Sequence, residues 1–149
     1  MIWQTGKYYF HTANEVAGEF QDKGVRIVEF IDRMDYAYAI ANVIISRAGA
    51  IAISEICAVG RPTVFVPLPS AAEDHQTKNA QALVEKNAAL LIKDHEANEK
   101  LVDAVIKLIR NQEKQTELSH NLLKLARKDA DEKIANEILS LINHKESKR

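Results

Sequence analysis

Ile44-Ile45-Ser46-Arg47-Ala48-Gly49-Ala50-Ile51-Ala52-Ile53-Ser54-Glu55-Ile56 changes character at its middle. A short apolar run ends in the small-residue turn Ala48-Gly49-Ala50, and a helical pattern follows at once. This is how a strand-turn-helix anion site is built. The first amides of a helix have no partner within it and sit at the positive end of its dipole, so those of Ala50, Ile51 and Ala52 are placed to face a phosphate. Gly49 has no Cβ, which allows a sharp turn and the close approach of a ligand. Glu55 follows Ile51 by one helical turn, where a carboxylate can accept hydrogen bonds from a ribose diol. The alternative reading of the same residues is a tight turn with a dipole-stabilising glutamate.

Composition sets the bounds around that stretch. A chain of 149 residues fits one ordinary domain with a substantial core. Hydrophobic residues make up 46% and charged residues 28%, a globular rather than disordered balance. The net charge of -1 supplies no global field for nucleic acid or an anionic membrane, which argues against a dedicated nucleic-acid binder. One cysteine, Cys57, excludes an intrachain disulfide and suits a reducing compartment. It lies in a helical run and reads as a packed small side chain rather than a nucleophile. No apolar stretch approaches the roughly 18 residues of a membrane span, and the start lacks the layout of a signal peptide, so the expected location is cytoplasmic.

Along the chain, Ile2-Trp3 closed by Thr5-Gly6 reads as a strand, with Trp3 in core or sheet packing. Thr12-Ala13-Asn14-Glu15 has capping-box spacing and predicts a helix carrying Val16 and Phe20 and ending near Gly24. Residues 25–30 read as a strand, 32–41 as a short helix and 42–46 as a buried strand. Gly60-Arg61-Pro62 stops the helix of the opening stretch, and residues 63–67 form another strand. Residues 79–86 read as a helix, 88–93 as a last strand, and 98–110 and 117–127 as helices. Asp129-Ala130-Asp131-Glu132 repeats the capping spacing before a stripe of Ile134, Ile138, Leu141 and Ile142, expected to pack on the sheet or on a neighbouring domain. Residues 144–149 read as a solvated, frayed tail.

Alternating strands and helices predict an α/β fold with a parallel sheet in one compact unit. Ligands then lie at the carboxyl ends of the strands, where the loops after Phe30, Ser46 and Val66 are expected to share one rim. The third of these carries the polar cluster Ser70-Ala71-Ala72-Glu73-Asp74-His75-Gln76-Thr77-Lys78-Asn79. Asp74 is placed to cap the helix that follows, and Gln76 and Asn79, three apart, share a face. A neutral polar cluster at the rim suits a sugar, whose hydroxyls need donors and acceptors, and equally suits a solvated first turn. His75 lacks companions at metal-ligand spacing, so it either hydrogen-bonds a ligand or is an ordinary surface histidine. His11, His95, His120 and His144 read as incidental.

These motifs in this order, Phe30-Ile31-Asp32 with Met34, Ser46-Arg47-Ala48-Gly49-Ala50 with Ser54-Glu55, Gly60-Arg61-Pro62, Val66-Pro67 and Asp74-His75-Gln76-Thr77-Lys78-Asn79-Ala80, closely resemble the carboxyl-terminal half of the MurG family. These bacterial transferases move N-acetylglucosamine from UDP-N-acetylglucosamine onto undecaprenyl-diphospho-muramoyl-pentapeptide in peptidoglycan synthesis, which serves cell shape and division. The resemblance covers nearly the whole chain. It implies a Rossmann-like domain of a GT-B glycosyltransferase, spanning residues 1–143, that holds the UDP-sugar.

Carried over residue by residue, the resemblance has Ile31 meeting the uracil through its backbone. Ala50, Ile51 and Ala52 present amides to the diphosphate, and Glu55 holds the ribose hydroxyls. His75 and Gln76 match positions that touch the sugar, with Asn79 beside them. Gly49 and Arg47 belong to the turn motif, Arg47 either bracing the loop or assisting the phosphates. The family often has Gln-Gln where this chain has His-Gln, so the role carries to Gln76 more securely than to His75.

Two departures qualify the likeness. Members of the family are more than twice this length, and their amino-terminal domain carries the acceptor site, the membrane-facing patch and the general base. The glycine-rich turn that follows the first strand of the donor domain precedes Met1 in the family pattern, so both are expected to be missing here. The implied chemistry is an inverting transfer in which helix amides, not an obligatory metal or cofactor, stabilise the departing UDP. No catalytic base is expected in this chain, and the polypeptide alone is expected to be inactive. The full-length enzyme is expected on the inner face of the cell membrane. Two other readings stay open: a separate soluble subunit that needs a membrane-anchored partner, and an epimerase-like UDP-sugar relative.

Overall fold

The computed structural model describes residues 1–69, 74–127 and 129–146. Its strands are parallel and alternate with helices, which is the expected α/β class. The chain packs as two compact units, Met1–Ala41 and Asn42–Arg149.

In the first unit, β1 (Ile2–Gln4) pairs in parallel with β2 (Arg26–Val28), and Trp3 lies opposite Ile27. Between them run α1 (Gly6–Ala17) and a 3-10 turn, Gly18–Lys23, closed by Gly24 in the left-handed region at φ 85°. The helix α2 (Met34–Ile40) follows. The predicted capping box at Thr12 is not a helix start, because residues 12–15 lie inside α1 and Asn14 Nδ2 bonds the Phe10 carbonyl instead. Ala13 and Ile27 are buried, whereas Trp3, Val16 and Phe20, read as packing residues, are exposed.

The second unit holds β3 (Ile44–Ser46), α3 (Ala50–Val59), β4 (Thr63–Phe65), α4 (His75–Val84) and β5 (Leu90–Leu91). After a 3-10 turn, Asp94–Glu96, come α5 (Ala97–Arg110), α6 (Gln112–Leu125) and α7 (Ala130–Glu146). Its sheet order is β3-β4-β5. The central strand β4 is wholly buried, as its unbroken apolar character requires. Val64 packs with Ile92, Leu108 and Leu118 into the core, which Leu101, Ala104 and Val105 flank from α5.

Several boundaries differ from the sequence reading. α4 begins at His75 rather than at residue 79, and α6 begins at Gln112, where Asn111 Oδ1 accepts the amide of Lys114 as a cap. Asp74 occupies the capping position of α4 without a side-chain cap bond, and its backbone is left-handed at φ 57°. The expected tail is helical through Glu146, and residues 147–149, like residues 70–73 of the polar loop, lie outside the described residues. The apolar stripe of α7 is exposed at Ile134, Ile138, Leu141 and Ile142. Among the described residues, no helix is long and apolar enough to cross a membrane.

Among the described residues the parallel pairing falls into two sheets, of two strands in the first unit and three in the second. Side-chain patterning identifies a strand but does not name its neighbour, which depends on ladder hydrogen bonds made in the folded chain.

Candidate functional site

Because β3, β4 and β5 are parallel, their carboxyl ends share one edge, and the chain leaves them there in three consecutive loops. Backbone pairing continues past the strands, from Val66 N to the Ser46 carbonyl and from Ile92 N to the Phe65 carbonyl, both at 2.9 Å. The loops after Ser46 and Val66 therefore meet as expected. The loop after β5 joins them, while the loop after Phe30 belongs to the first unit.

Arg47 leaves β3 directly, and its Nη1 donates to the carbonyls of Val66 at 3.1 Å and Pro67 at 3.3 Å. The same nitrogen pairs with Asp94 Oδ1 just beyond β5. One guanidinium thus ties the exits of all three strands together, and its charge is matched by Asp94. These contacts are those of a side chain that ties the loops together.

Ala48, fully buried, is held by α4. Gln76 Oε1 accepts the amides of Ala48 at 3.2 Å and Leu68 at 3.0 Å. Asn79 Nδ2 donates to the Ala48 carbonyl at 3.4 Å. The shared face read for Gln76 and Asn79 exists, but it grips the turn. What the Gln76 side chain then has for a sugar hydroxyl is its Nε2 donor.

Gly49 caps α3 in an extended conformation, φ -67° and ψ 146°, that any residue adopts. The turn therefore does not need glycine for its backbone shape. A Cβ built there meets nothing within 4 Å, so the glycine instead leaves open space beside the helix start. The first intrahelical bond runs from Ile53 N to the Gly49 carbonyl at 2.9 Å, which leaves the amides of Ala50, Ile51 and Ala52 without a partner inside the helix. No acidic residue sits in the first turn of α3 to compete with an anion.

Ala50, Ile51 and Glu55 are exposed and Ala52 is half-buried. His75, exposed, opens α4 next to Gln76. Ile31 lies in the first unit, where its amide donates to Gln4 Oε1 at 2.9 Å. A side-chain carbonyl thus meets the amide of Ile31, one of its two backbone polar groups. The structure brings Arg47, Gly49, Ala50, Ile51, Ala52, Gln76 and Asn79 to one edge of the second unit.

The sequence reading missed Asp94. The available signal was an acidic residue a few positions past an apolar strand, on the same edge as an arginine. Cys57 behaves as read: it is buried, and burial pushes its thiol pKa up, away from a nucleophile's range.

Residues 1–134 match the family model of the glycosyltransferase family 28 C-terminal domain. The chain belongs to this family. Among curated proteins, it is 48% identical over 143 residues to the UDP-N-acetylglucosamine--N-acetylmuramyl-(pentapeptide) pyrophosphoryl-undecaprenol N-acetylglucosamine transferase of Cytophaga hutchinsonii. That alignment covers 96% of this chain and 38% of the relative. The protein of the same name from Parabacteroides distasonis is 46% identical over 145 residues, covering 97% of this chain and 39% of the relative. Among solved structures, Acinetobacter baumannii MurG matches with a TM-score of 0.82 at 27% identity, over 93% of this chain and 40% of that one. This family 28 domain therefore spans about two fifths of the length of the relatives it matches.

Proposed function

We propose that residues 1–143 form a donor-binding domain that holds UDP-N-acetylglucosamine within an inverting N-acetylglucosaminyltransferase of peptidoglycan synthesis. The observation that carries this reading is the amino-terminal turn of α3. Its amides, without partners inside the helix, lie at the carboxyl edge of the sheet, on a turn held by Asp94 through Arg47 and by Gln76, in a chain nearly half identical to transferases that use this donor. A nucleoside diphosphate places its charge where such amides need it, and they would steady the UDP leaving group as the sugar is transferred.

In this reading Ala50, Ile51 and Ala52 hold the diphosphate and Glu55 the ribose hydroxyls. His75 and the Gln76 Nε2 donor meet the sugar. The acceptor, lipid-linked muramoyl-pentapeptide, and the general base that activates its hydroxyl are assigned to an amino-terminal domain of the kind the longer relatives have. Attachment to the inner face of the cell membrane, and a part in cell shape and division, follow from that acceptor.

Titrating the 15N-labelled chain with UDP-N-acetylglucosamine tests the reading. Amide shifts are expected at Ala50, Ile51 and Ala52, and Glu55→Ala is expected to weaken binding about tenfold by removing hydrogen bonds to a charged acceptor. A well-dispersed spectrum that does not move at millimolar donor overturns it. With acceptor added, this chain alone is expected to release no UDP.

A further inference from the structure

The geometry points to Asp94 as a positioning residue that acts through Arg47 to aim the amides of α3 at the donor diphosphate. This rests on the donor-binding reading and adds to it a residue on the third strand exit, far from α3 in sequence.

Ala48 is held at its amide by Gln76 and at its carbonyl by Asn79, both from α4. Arg47, the preceding residue, is held through its side chain by the carbonyls of Val66 and Pro67. Those two carbonyls are neutral and give the direction of the guanidinium no counter-charge. Asp94 supplies the charge-assisted contact that fixes it. Asp94 is itself anchored, standing two residues past Ile92, whose amide bonds the Phe65 carbonyl, and opening the 3-10 turn that leads into α5.

The side chains of Arg47 and Asp94 are 52% and 37% exposed, so solvent screens the pair and it adds little to stability. Its effect lies in direction. With Arg47 and Ala48 both fixed just before them, Gly49 and the first amides of α3 keep one orientation, and a diphosphate meets donors already in place. Asp94 also takes up Nη1, the nitrogen that both carbonyls share, so that this end of the guanidinium serves the brace.

Binding of UDP and of uridine to the 149-residue chain tests this, with thermal melting alongside. Uridine lacks the diphosphate and so reports on the rest of the site. Asp94→Ala is expected to lower UDP affinity about tenfold, as loss of aligned hydrogen bonds to a charged group does, while uridine affinity changes less than about twofold and the melting temperature holds. Asp94→Glu, which restores the carboxylate, is expected to recover most of the loss. Lys100→Ala, which removes the exposed Glu96–Lys100 pair on the next helical turn, is expected to change neither affinity.

UDP affinity in Asp94→Ala that is unchanged or tighter overturns the inference, tighter binding meaning that Asp94 restrains a phosphate ligand. A fall shared equally by uridine overturns it too, as a general structural loss. Should Asp94→Ala fail to fold, Asp94→Asn keeps an acceptor oxygen without the charge; its UDP affinity must still fall, by about threefold, for the inference to stand. A wild-type chain that binds no UDP removes the donor-binding reading itself, whereas a binding wild type with an indifferent Asp94 removes only the positioning role.

Discussion

A methyl group added at Gly49 separates the two uses a glycine can have in such a turn. The backbone there is extended rather than left-handed, so alanine fits without strain, and the added Cβ meets no protein atom within 4 Å. Gly49→Ala should leave stability within about 1 kcal/mol, the spread between cap preference and backbone entropy. The same methyl occupies the space through which a phosphate would approach the amides of Ala50 and Ile51, so UDP affinity should fall about tenfold. Calorimetric titration beside a melting curve checks both halves, and unchanged affinity would show that the ligand stays clear of the turn. Gln76 shows the opposite economy, since one side chain read as a sugar contact also satisfies two backbone amides, at Ala48 and Leu68.

α3 is defined at its two ends by different glycines. At the carboxyl end, Gly60 is left-handed at φ 63°, and its amide closes the helix on the Ile56 carbonyl at 2.9 Å. A Cβ at Gly60 would stand 2.5 Å from Leu123 Cγ, on α6. Here glycine is required twice, by conformation and by packing. Gly60→Ala should cost roughly 1–2 kcal/mol for the left-handed backbone and about 1–3 more for the overpacked contact with α6. Urea unfolding checks this, and a loss below about 0.5 kcal/mol would mean that α6 moves aside freely. Stop signals of this kind were readable in Gly60-Arg61-Pro62. The starts of α1 and α6 were not, because Thr12 and Glu15 carried a capping pattern inside a helix and Asn111 has Lys114, not an acid or glutamine, at the capping-box position three residues on.

Burial is unevenly spread over the molecule. β4 is wholly buried, with Val64 packed against Leu108 and Leu118, whereas β1 and the apolar residues of α7 are exposed. Hydrogen exchange should follow that order, with the amides of Val64 and Phe65 slowest and those of α7 exchanging orders of magnitude faster. Equal protection across the chain would show that α7 is covered in solution. The exposed stripe of Ile134, Ile138, Leu141 and Ile142 is where the sequence expected contact with a sheet or a neighbouring domain, in a chain that spans about two fifths of its relatives.

By itself, the sequence determined the α/β class, the alternation of elements, the strand-turn-helix at Ser46 to Glu55 and the family resemblance. These rest on local chemistry: apolar periodicity, small residues at a turn, and helix amides that lack partners whatever the rest of the chain does. Only the tertiary structure decided which strands pair, that Gln76 and Asn79 grip Ala48, and that Asp94 holds Arg47 across 47 residues of chain. Parallel pairing brought these residues to one sheet edge, and a hydrogen-bond partner so distant in sequence leaves no periodic trace by which it can be read.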